Sequence, residues 1–167
     1  YYLHLYDPSQ ADLDWHNPNV RKEASDIINF WRNKGVKGFR FDVFNVTGKS
    51  KKLVDSLNIS QEKLLYTDTP IVEKYLQELN RNSFGKDIDS ITVGEMSSTT
   101  IEKSVDYTKP ENHELSMVFT FHHLKVDYKN GEKWNKVPFD FMKLKHLLNK
   151  WQIALDKSEG WTALFWN

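Results

Sequence analysis

The sequence predicts an α/β fold built on a parallel sheet. Segments of helical periodicity alternate along the chain with short strand-like segments, in the order α-β-α-β-α-β-α-β, which is the pattern of parallel α/β folds. The strand over residues 91–95 is apolar on both faces, as a buried parallel strand should be. The chain has 167 residues, whereas a complete (β/α)8 barrel needs about 250. Either the sheet is open, or it belongs to a barrel that is incomplete at both ends.

The first half of the chain is predicted to contain two helices and two strands. Asn17 is a good N-cap, Pro18 suits the first helical position, and Gly35 can end the helix in the left-handed conformation. The next segment, residues 36–43, alternates as a strand does. The remaining elements of this half are a surface loop over 47–70 with at most a short helix, a helix from Pro70 to near Gly85, and the strand over 91–95.

The second half of the chain is predicted to repeat this alternation. Its elements are a short helix from about Thr100 to Tyr107, a strand over 117–121, a long loop over 125–138, a helix from Asp140 to about Asp156, and the start of a fourth strand over 161–166. The loop over 125–138 is long for a connection in an α/β fold, which is typical of a segment that binds substrate.

Composition excludes several classes of function. Lys and Arg together number 23, as do Asp and Glu, so the chain lacks the basic excess of a nucleic-acid-binding protein. It contains no Cys, which excludes disulfides and thiolate metal sites and fits the reducing cytoplasm, our expected location. No apolar run reaches the roughly 18 residues of a membrane span. His4 and His16 lack metal-ligand spacing, so we expect neither a metal nor another cofactor.

Two carboxylates occupy positions at which parallel α/β enzymes carry out chemistry. Arg40 and Asp42 share one side of the first strand, near its C-terminal end, while Phe39 and Phe41 are predicted to face helices. Glu95 ends the second strand. Carboxylates at the ends of successive strands converge on one pocket, and glycoside hydrolysis requires such a pair. The alternative is a structural salt bridge between Arg40 and Asp42.

Three segments resemble signature segments of the α-amylase superfamily of glycoside hydrolases, in the same order. They are Gln10-Ala11-Asp12-Leu13-Asp14, Gly38-Phe39-Arg40-Phe41-Asp42-Val43 and Val93-Gly94-Glu95-Met96. The first is similar to the segment that marks the oligo-1,6-glucosidase-like branch. The resemblance implies a partial (β/α)8 TIM barrel, comprising about strands 4–6 and the start of strand 7. Residues 1–15 would be the exit of a small domain inserted after strand 3, and residues 16–167 the central section of the catalytic barrel domain.

The resemblance also implies the mechanism of a retaining α-glucosidase. Asp42 would be the nucleophile, Glu95 the general acid/base and Arg40 the partner of Asp42. Glu95 would have to be protonated at the start, whereas Arg40 is expected to favour the ionised form of Asp42. The family's strand-3 Asn-His motif would precede Tyr1 and its third carboxylate would follow Asn167, so the isolated chain is expected to be inactive.

A further segment suggests the substrate. Residues 119–128 and 94–100 most resemble the members of this branch that hydrolyse trehalose 6-phosphate to glucose and glucose 6-phosphate. A phosphate carries a charge of about −1.5 to −2 and needs cationic donors. The candidates are His122, His123 and Lys125, which lie just past a strand end. The alternative is that the Lys is merely solvated and the His side chains bond to the backbone.

Other functions stay open at this point. On the same scaffold, an oligo-1,6-glucosidase or a sucrose isomerase is the nearest alternative. A non-catalytic carbohydrate-binding or transporter-associated relative is an alternative of another class, although the presence of Asp42, Glu95 and Arg40 argues against it. An unrelated open α/β binding protein would also explain an incomplete barrel. The favoured interpretation implies a sugar or sugar phosphate as partner, and neither a nucleic acid nor a membrane.

Overall fold

A computed structural model describes residues 1–52, 54–55, 58–134 and 137–164. Four parallel strands form one sheet in the order β1-β2-β3-β4. The strands are β1 (Gly38–Phe41), β2 (Ile91–Glu95), β3 (Met117–Phe119) and β4 (Trp161–Thr162). The helices are α1 (Pro18–Asn33), α2 (Ile59–Glu62), α3 (Pro70–Asn82), α4 (Ile101–Thr108) and α5 (Phe141–Asp156). The predicted parallel α/β architecture is therefore confirmed, with α3, α4 and α5 each connecting two neighbouring strands.

The helices begin close to where the sequence predicts, largely because polar side chains cap them. Asn17 accepts a hydrogen bond from the backbone N–H two residues later (3.0 Å), and Asp140 from the N–H three residues later (2.9 Å). Each satisfies a donor that the helix itself leaves unpaired. Thr69 precedes α3 without capping it, since its hydroxyl donates to the carbonyl of Gly48. The short helix expected within the loop over 47–70 is α2.

Three strands, the first, third and fourth, are shorter than the sequence predicts. The first stops at Phe41, because Val43 has a left-handed conformation (φ 41°) that ends the extended backbone. The third stops at Phe119 and is followed by a 3-10 turn over His122–Lys125. Part of the fourth predicted strand is observed as β4, and residues 165–166 of that prediction lie outside the described residues.

One face of the sheet packs on the helices, and the other face carries the predicted catalytic residues. Phe39 and Phe41 pack against the buried core, as predicted. Gly94 also lies on this covered face, where a Cβ atom would come within 2.6 Å of the Leu115 side chain. Arg40 lies on the opposite face, and its side chain is 55% exposed. No helix in the described ranges is long and apolar enough to cross a membrane.

Candidate active site

The parallel register of β1 and β2 places the two predicted carboxylates side by side. Phe41 pairs with Gly94, so the next residue is Asp42 on one strand and Glu95 on the other. Both residues lie at the carboxyl ends of the strands, which is the edge where parallel α/β sheets hold their active sites. The structure thus brings Asp42 and Glu95 together at the edge that the sequence predicts.

A single guanidinium group joins the pair. Nη2 of Arg40 lies 2.8 Å from Oδ1 of Asp42 and also contacts Oε2 of Glu95. Because both oxygens contact one nitrogen atom, the two carboxyl groups lie close together, and a retaining glycosidase needs such a pair about 5 Å apart. The same guanidinium lies 5.5 Å from the centroid of the Phe119 ring, a cation–π contact supplied by β3.

The two carboxylates differ in their surroundings. The Glu95 side chain is 11% exposed, whereas that of Asp42 is 72% exposed. The pKa of Glu95 is raised, mainly by burial. A hydrogen bond with Asp42 and the negative charge of Asp42 raise this pKa further, whereas Arg40 lowers it. A carboxyl group that keeps its proton to higher pH suits a general acid, and an accessible carboxylate paired with a cation suits a nucleophile.

Tyr6 joins this site, although no motif pointed to it. Partial burial and then the charges of Glu95 and Asp42 raise the pKa of its phenol. Tyr6 also lines a cleft next to Asp42, together with Trp15 and Lys49. The residues around Tyr6 show no periodic pattern, and more than thirty positions separate it from Asp42. Only the tertiary structure therefore reveals it.

The residues predicted to meet a phosphate lie in one 3-10 turn, His122–Lys125. Nε2 of His122 lies 2.7 Å from the carbonyl oxygen of Thr99. A carbonyl oxygen can only accept, so this ring nitrogen is the donor. The His122 ring also stacks on Trp151, with the ring centroids 5.3 Å apart. His123 is buried. Both histidines are therefore packed into the protein rather than extended into solvent.

Lys125 is the exposed member of this turn. It forms no ion pair within the part of the chain that the structure describes. Partial loss of hydration and then the positive charge of Lys63 lower the pKa of Lys125. Lys63 cannot be picked out from the sequence, because it lies in a segment without periodicity or motif. Among the described residues, no cluster of three or more His, Asp or Glu side chains could hold a metal ion.

The chain matches known proteins along its whole length. The profile of the family described as "Alpha amylase, catalytic domain" matches residues 1–167. The trehalose-6-phosphate hydrolase of Bacillus subtilis (strain 168) is 51% identical over 166 residues, which are 99% of this chain and 29% of that protein. The oligo-1,6-glucosidase of Parageobacillus thermoglucosidasius is 41% identical over 172 residues, which cover 100% of this chain and 30% of that protein.

A solved structure shows the same architecture. The crystal structure of trehalose-6-phosphate hydrolase from Bacillus licheniformis matches with a TM-score of 0.93 and 53% identity, over 100% of this chain and 30% of that one. The chain thus spans about 30% of the length of the relatives it matches. Its sheet and helices form a partial (β/α)8 barrel, and the hypothesis of an unrelated open α/β protein is wrong. The chain belongs to the α-amylase catalytic-domain family.

Proposed function

We propose that this chain is the central section of a retaining α-glucosidase that hydrolyses trehalose 6-phosphate to glucose and glucose 6-phosphate. Residues 16–167 would belong to the barrel, and residues 1–15 to the exit of a domain inserted after its third strand. The observation that carries the proposal is the contact of one Arg40 nitrogen with both carboxylates. The full-length protein is the polypeptide that contains the whole barrel. The cysteine-free sequence fits a cytoplasmic location.

The first half of the proposed reaction breaks the glycosidic bond. Glu95 protonates the glycosidic oxygen while Asp42 attacks the anomeric carbon, so a glycosyl-enzyme forms and the sugar phosphate leaves as an alcohol. The raised pKa of Glu95 supports its role, because a general acid must hold a proton before it can donate one. Arg40 contacts both groups, so its positive charge stabilises Glu95 as that residue becomes negative.

The second half of the proposed reaction releases glucose. Water attacks the anomeric carbon, and Glu95, now a carboxylate, removes the proton from that water. The bond between Asp42 and the sugar breaks, and the carboxylate of Asp42 returns to its ion pair with Arg40. Because the anomeric carbon is inverted twice, the released glucose has the α configuration of the substrate.

Two observations support a phosphorylated substrate. The trehalose-6-phosphate hydrolase of B. subtilis is 51% identical to the chain, against 41% for the oligo-1,6-glucosidase. In addition, Lys125 is exposed in the turn after β3, and loss of hydration and then the positive charge of Lys63 lower its pKa. A phosphate group between them would relieve this repulsion and gain two charge-assisted contacts. His122 and His123 would then shape the site, with Nδ1 of His122 as the ring nitrogen not used on Thr99.

An α-glucosidase that acts on unphosphorylated oligosaccharides is the second candidate. The identity of 41% to an oligo-1,6-glucosidase favours it, and a sucrose isomerase on the same scaffold would use the same two carboxylates. Asp42 and Glu95 would then keep their roles, and only the contact with the phosphate would be lost. A non-catalytic role needs neither carboxylate, so the Arg40 contacts favour an enzyme.

Proton NMR of the full-length protein with its substrate tests this proposal. We expect α-glucose to appear before mutarotation produces the β anomer, and unphosphorylated trehalose to react at least tenfold more slowly, on the order of one lost charge-assisted contact. The C1–O bond of the departing glucose 6-phosphate is not broken, so its anomer serves as an internal reference. Initial release of β-glucose would contradict the retaining mechanism. Equal rates on the two sugars would favour the second candidate.

A further inference from the structure

Asn45 joins the two segments that follow the catalytic carboxylates. It is fully buried and lies in a 3-10 turn three residues after Asp42. Its Nδ2 atom lies 2.9 Å from the carbonyl oxygen of Ser97 and 3.0 Å from Oδ1 of Asp68. Asp68 as a carboxylate and the Ser97 carbonyl both accept hydrogen bonds, so the amide of Asn45 has one satisfactory orientation. Its side chain therefore links the segment after β1 to the segment after β2.

Asp68 and Tyr107 complete the network. The backbone N–H of Asp68 donates to the carbonyl of Asn45 (3.0 Å), so the two residues exchange hydrogen bonds in both directions. The hydroxyl of Tyr107, on α4, donates to the same Oδ1 of Asp68 (2.9 Å). Tyr107 is fully buried, and a hydrogen bond away from water holds its partner in place. Oδ1 of Asn45 has no hydrogen-bond partner among the described residues, so the amide is held through Nδ2. Tyr107 on α4 is thus connected through Asp68 to Asn45.

The segments that this network joins both contain strained backbone. Val43, directly after Asp42, has φ 41°, and Ser98, three residues after Glu95, has φ 61°. A left-handed conformation is unfavourable for any residue with a side chain, and most of all for a β-branched one. Such conformations persist only where the surrounding structure holds them, and they concentrate at functional sites. Asn45 is a buried group that contacts both segments.

We propose that Asn45, Asp68 and Tyr107 form a positioning network that sets the spacing between the carboxyl groups of Asp42 and Glu95. The inference rests on the proposed function, because that spacing matters only if the pair carries out the reaction. None of the three network residues belongs to the contacts that hold the carboxylates themselves. They act on the backbone of the two segments that the network joins, one of which follows Asp42 and the other Glu95.

Tyr107→Phe in the full-length protein tests the network, since it removes one hydroxyl and leaves the ring. We expect kcat to fall on the order of tenfold, because a small misplacement of the reacting groups slows the chemical step. KM should change less than twofold. If the carboxyl groups move apart, Asp42 raises the pKa of Glu95 less. The alkaline limb of the pH–kcat/KM profile should then move to lower pH, because that limb reports deprotonation of the general acid.

Tyr75→Phe is the matched control. Tyr75 is also buried (4% exposed), and its hydroxyl lies 2.8 Å from Nδ1 of His16 and forms no hydrogen bond with the network. Each variant loses one hydrogen bond made by the hydroxyl of a buried tyrosine, so the two melting temperatures should fall by similar amounts. Only Tyr107→Phe should lower kcat and shift the alkaline limb. If both variants keep kcat and the limb of the wild type, Tyr107 is merely structural and the proposal is overturned.

Two variants of Asp68 separate hydrogen bonding from stability. Asp68→Asn retains an oxygen that can accept from both Asn45 and Tyr107, so it should keep kcat within about threefold of wild type. Asp68→Ala removes that acceptor and should lower kcat by on the order of tenfold or more. An equal loss in both variants would contradict the proposed role of the acceptor oxygen.

A measurement without turnover keeps this inference separate from the proposed function. The pKa of the Glu95 carboxyl can be followed by carbon-13 NMR in wild type, Tyr107→Phe and Tyr75→Phe. It should fall in Tyr107→Phe alone, whether or not trehalose 6-phosphate is the substrate. Absence of hydrolysis by the wild type would defeat the proposed function, whereas an unchanged pKa of Glu95 in Tyr107→Phe would defeat the network.

Discussion

Two regions of the molecule present their side chains in different ways. One is the edge where β1 and β2 end, and the other is the turn that follows β3. At the edge, strand alternation directs Arg40 and Asp42 to the same side, and the parallel register adds Glu95. In the turn, local contacts decide direction, and Nε2 of His122 bonds to the carbonyl of Thr99. Chemistry at strand ends can therefore be inferred from periodicity, whereas chemistry in a turn depends on partners that periodicity does not reveal.

Loss of the proposed nucleophile should give the largest effect, and it tests the strand edge itself. In the full-length protein, Asp42→Asn should lower kcat by on the order of 10⁴-fold, because an amide oxygen is a poor nucleophile toward the anomeric carbon. Steady-state hydrolysis of trehalose 6-phosphate measures this, and an unchanged melting temperature would show that the isosteric variant folds. Asp26→Asn, at an exposed position of α1, is the control and should retain full activity. Near-normal turnover by Asp42→Asn would remove this edge from the reaction.

Loss of the acid should give a smaller effect that depends on the leaving group. Glu95→Gln should lower kcat/KM for trehalose 6-phosphate by on the order of 10²- to 10⁴-fold, because a sugar leaving group needs a proton. With an aryl α-glucoside whose phenol leaves unaided, glycosylation should be nearly normal and an initial burst of phenol should appear. Equal losses of the glycosylation rate on both substrates would be inconsistent with Glu95 as the acid.

The turn after β3 is tested by Lys125→Ala. Loss of one charge-assisted contact should reduce kcat/KM for trehalose 6-phosphate roughly ten- to a hundredfold, and hydrolysis of an unphosphorylated aryl α-glucoside should hardly change. Lys63→Ala should act in the same direction if both cations meet the phosphate. Lys74→Ala, at an exposed position of α3, is the control. Equal effects of Lys125→Ala on both substrates, or none on either, would mean that Lys125 merely solvates its loop.

The smallest expected effect is a displacement of the pH profile. Burial and the neighbouring Asp42 raise the pKa of Glu95 above its ordinary value of 4.5. In the proposed reaction Glu95 acts in its protonated form, so the alkaline limb of kcat/KM should lie above that value. Activity should be lost as the pH rises through the raised pKa. A rate profile with no alkaline limb above the ordinary carboxyl range would contradict this assignment.

Glu114 supplies a control for the pH profile. It is a second buried glutamate, hydrogen-bonded to Gln77, and burial raises its pKa to about 8. Between its ordinary value and about 8, the folded state holds a proton that the unfolded state lacks, so this contribution to stability is lost as the pH rises through that window. Glu114→Gln should remove that loss, measured as melting temperature from pH 5 to 9, and leave the alkaline limb of kcat/KM unchanged.

The sequence was sufficient for the alternation of helices and strands and for the placement of three site residues. Period-two alternation separates Arg40 and Asp42 from Phe39 and Phe41, and the parallel order of the strands brings Glu95 to the same edge. These are local properties, because they depend on strand geometry and on the order of elements along the chain.

The rest of the site depends on contacts between distant parts of the chain. Asn45 bonds to Asp68 and Ser97 across 23 and 52 positions, and no window of sequence contains such a pair. The left-handed backbone of Val43 runs against the preference of a β-branched residue, so propensity predicts a longer strand there. Tyr6 lines a cleft with Asp42 although it comes from a segment without periodicity.

Trapping the glycosyl-enzyme tests the central claim most directly. In full-length Glu95→Gln, an activated α-glucosyl fluoride should glycosylate the nucleophile without help from an acid, and loss of the base should delay hydrolysis of the intermediate. Peptide mass spectrometry should then locate one glucosyl group on Asp42, and the label should be absent from the double variant Asp42→Asn, Glu95→Gln. A label on any other carboxylate, or turnover with inversion and no label, would contradict the account.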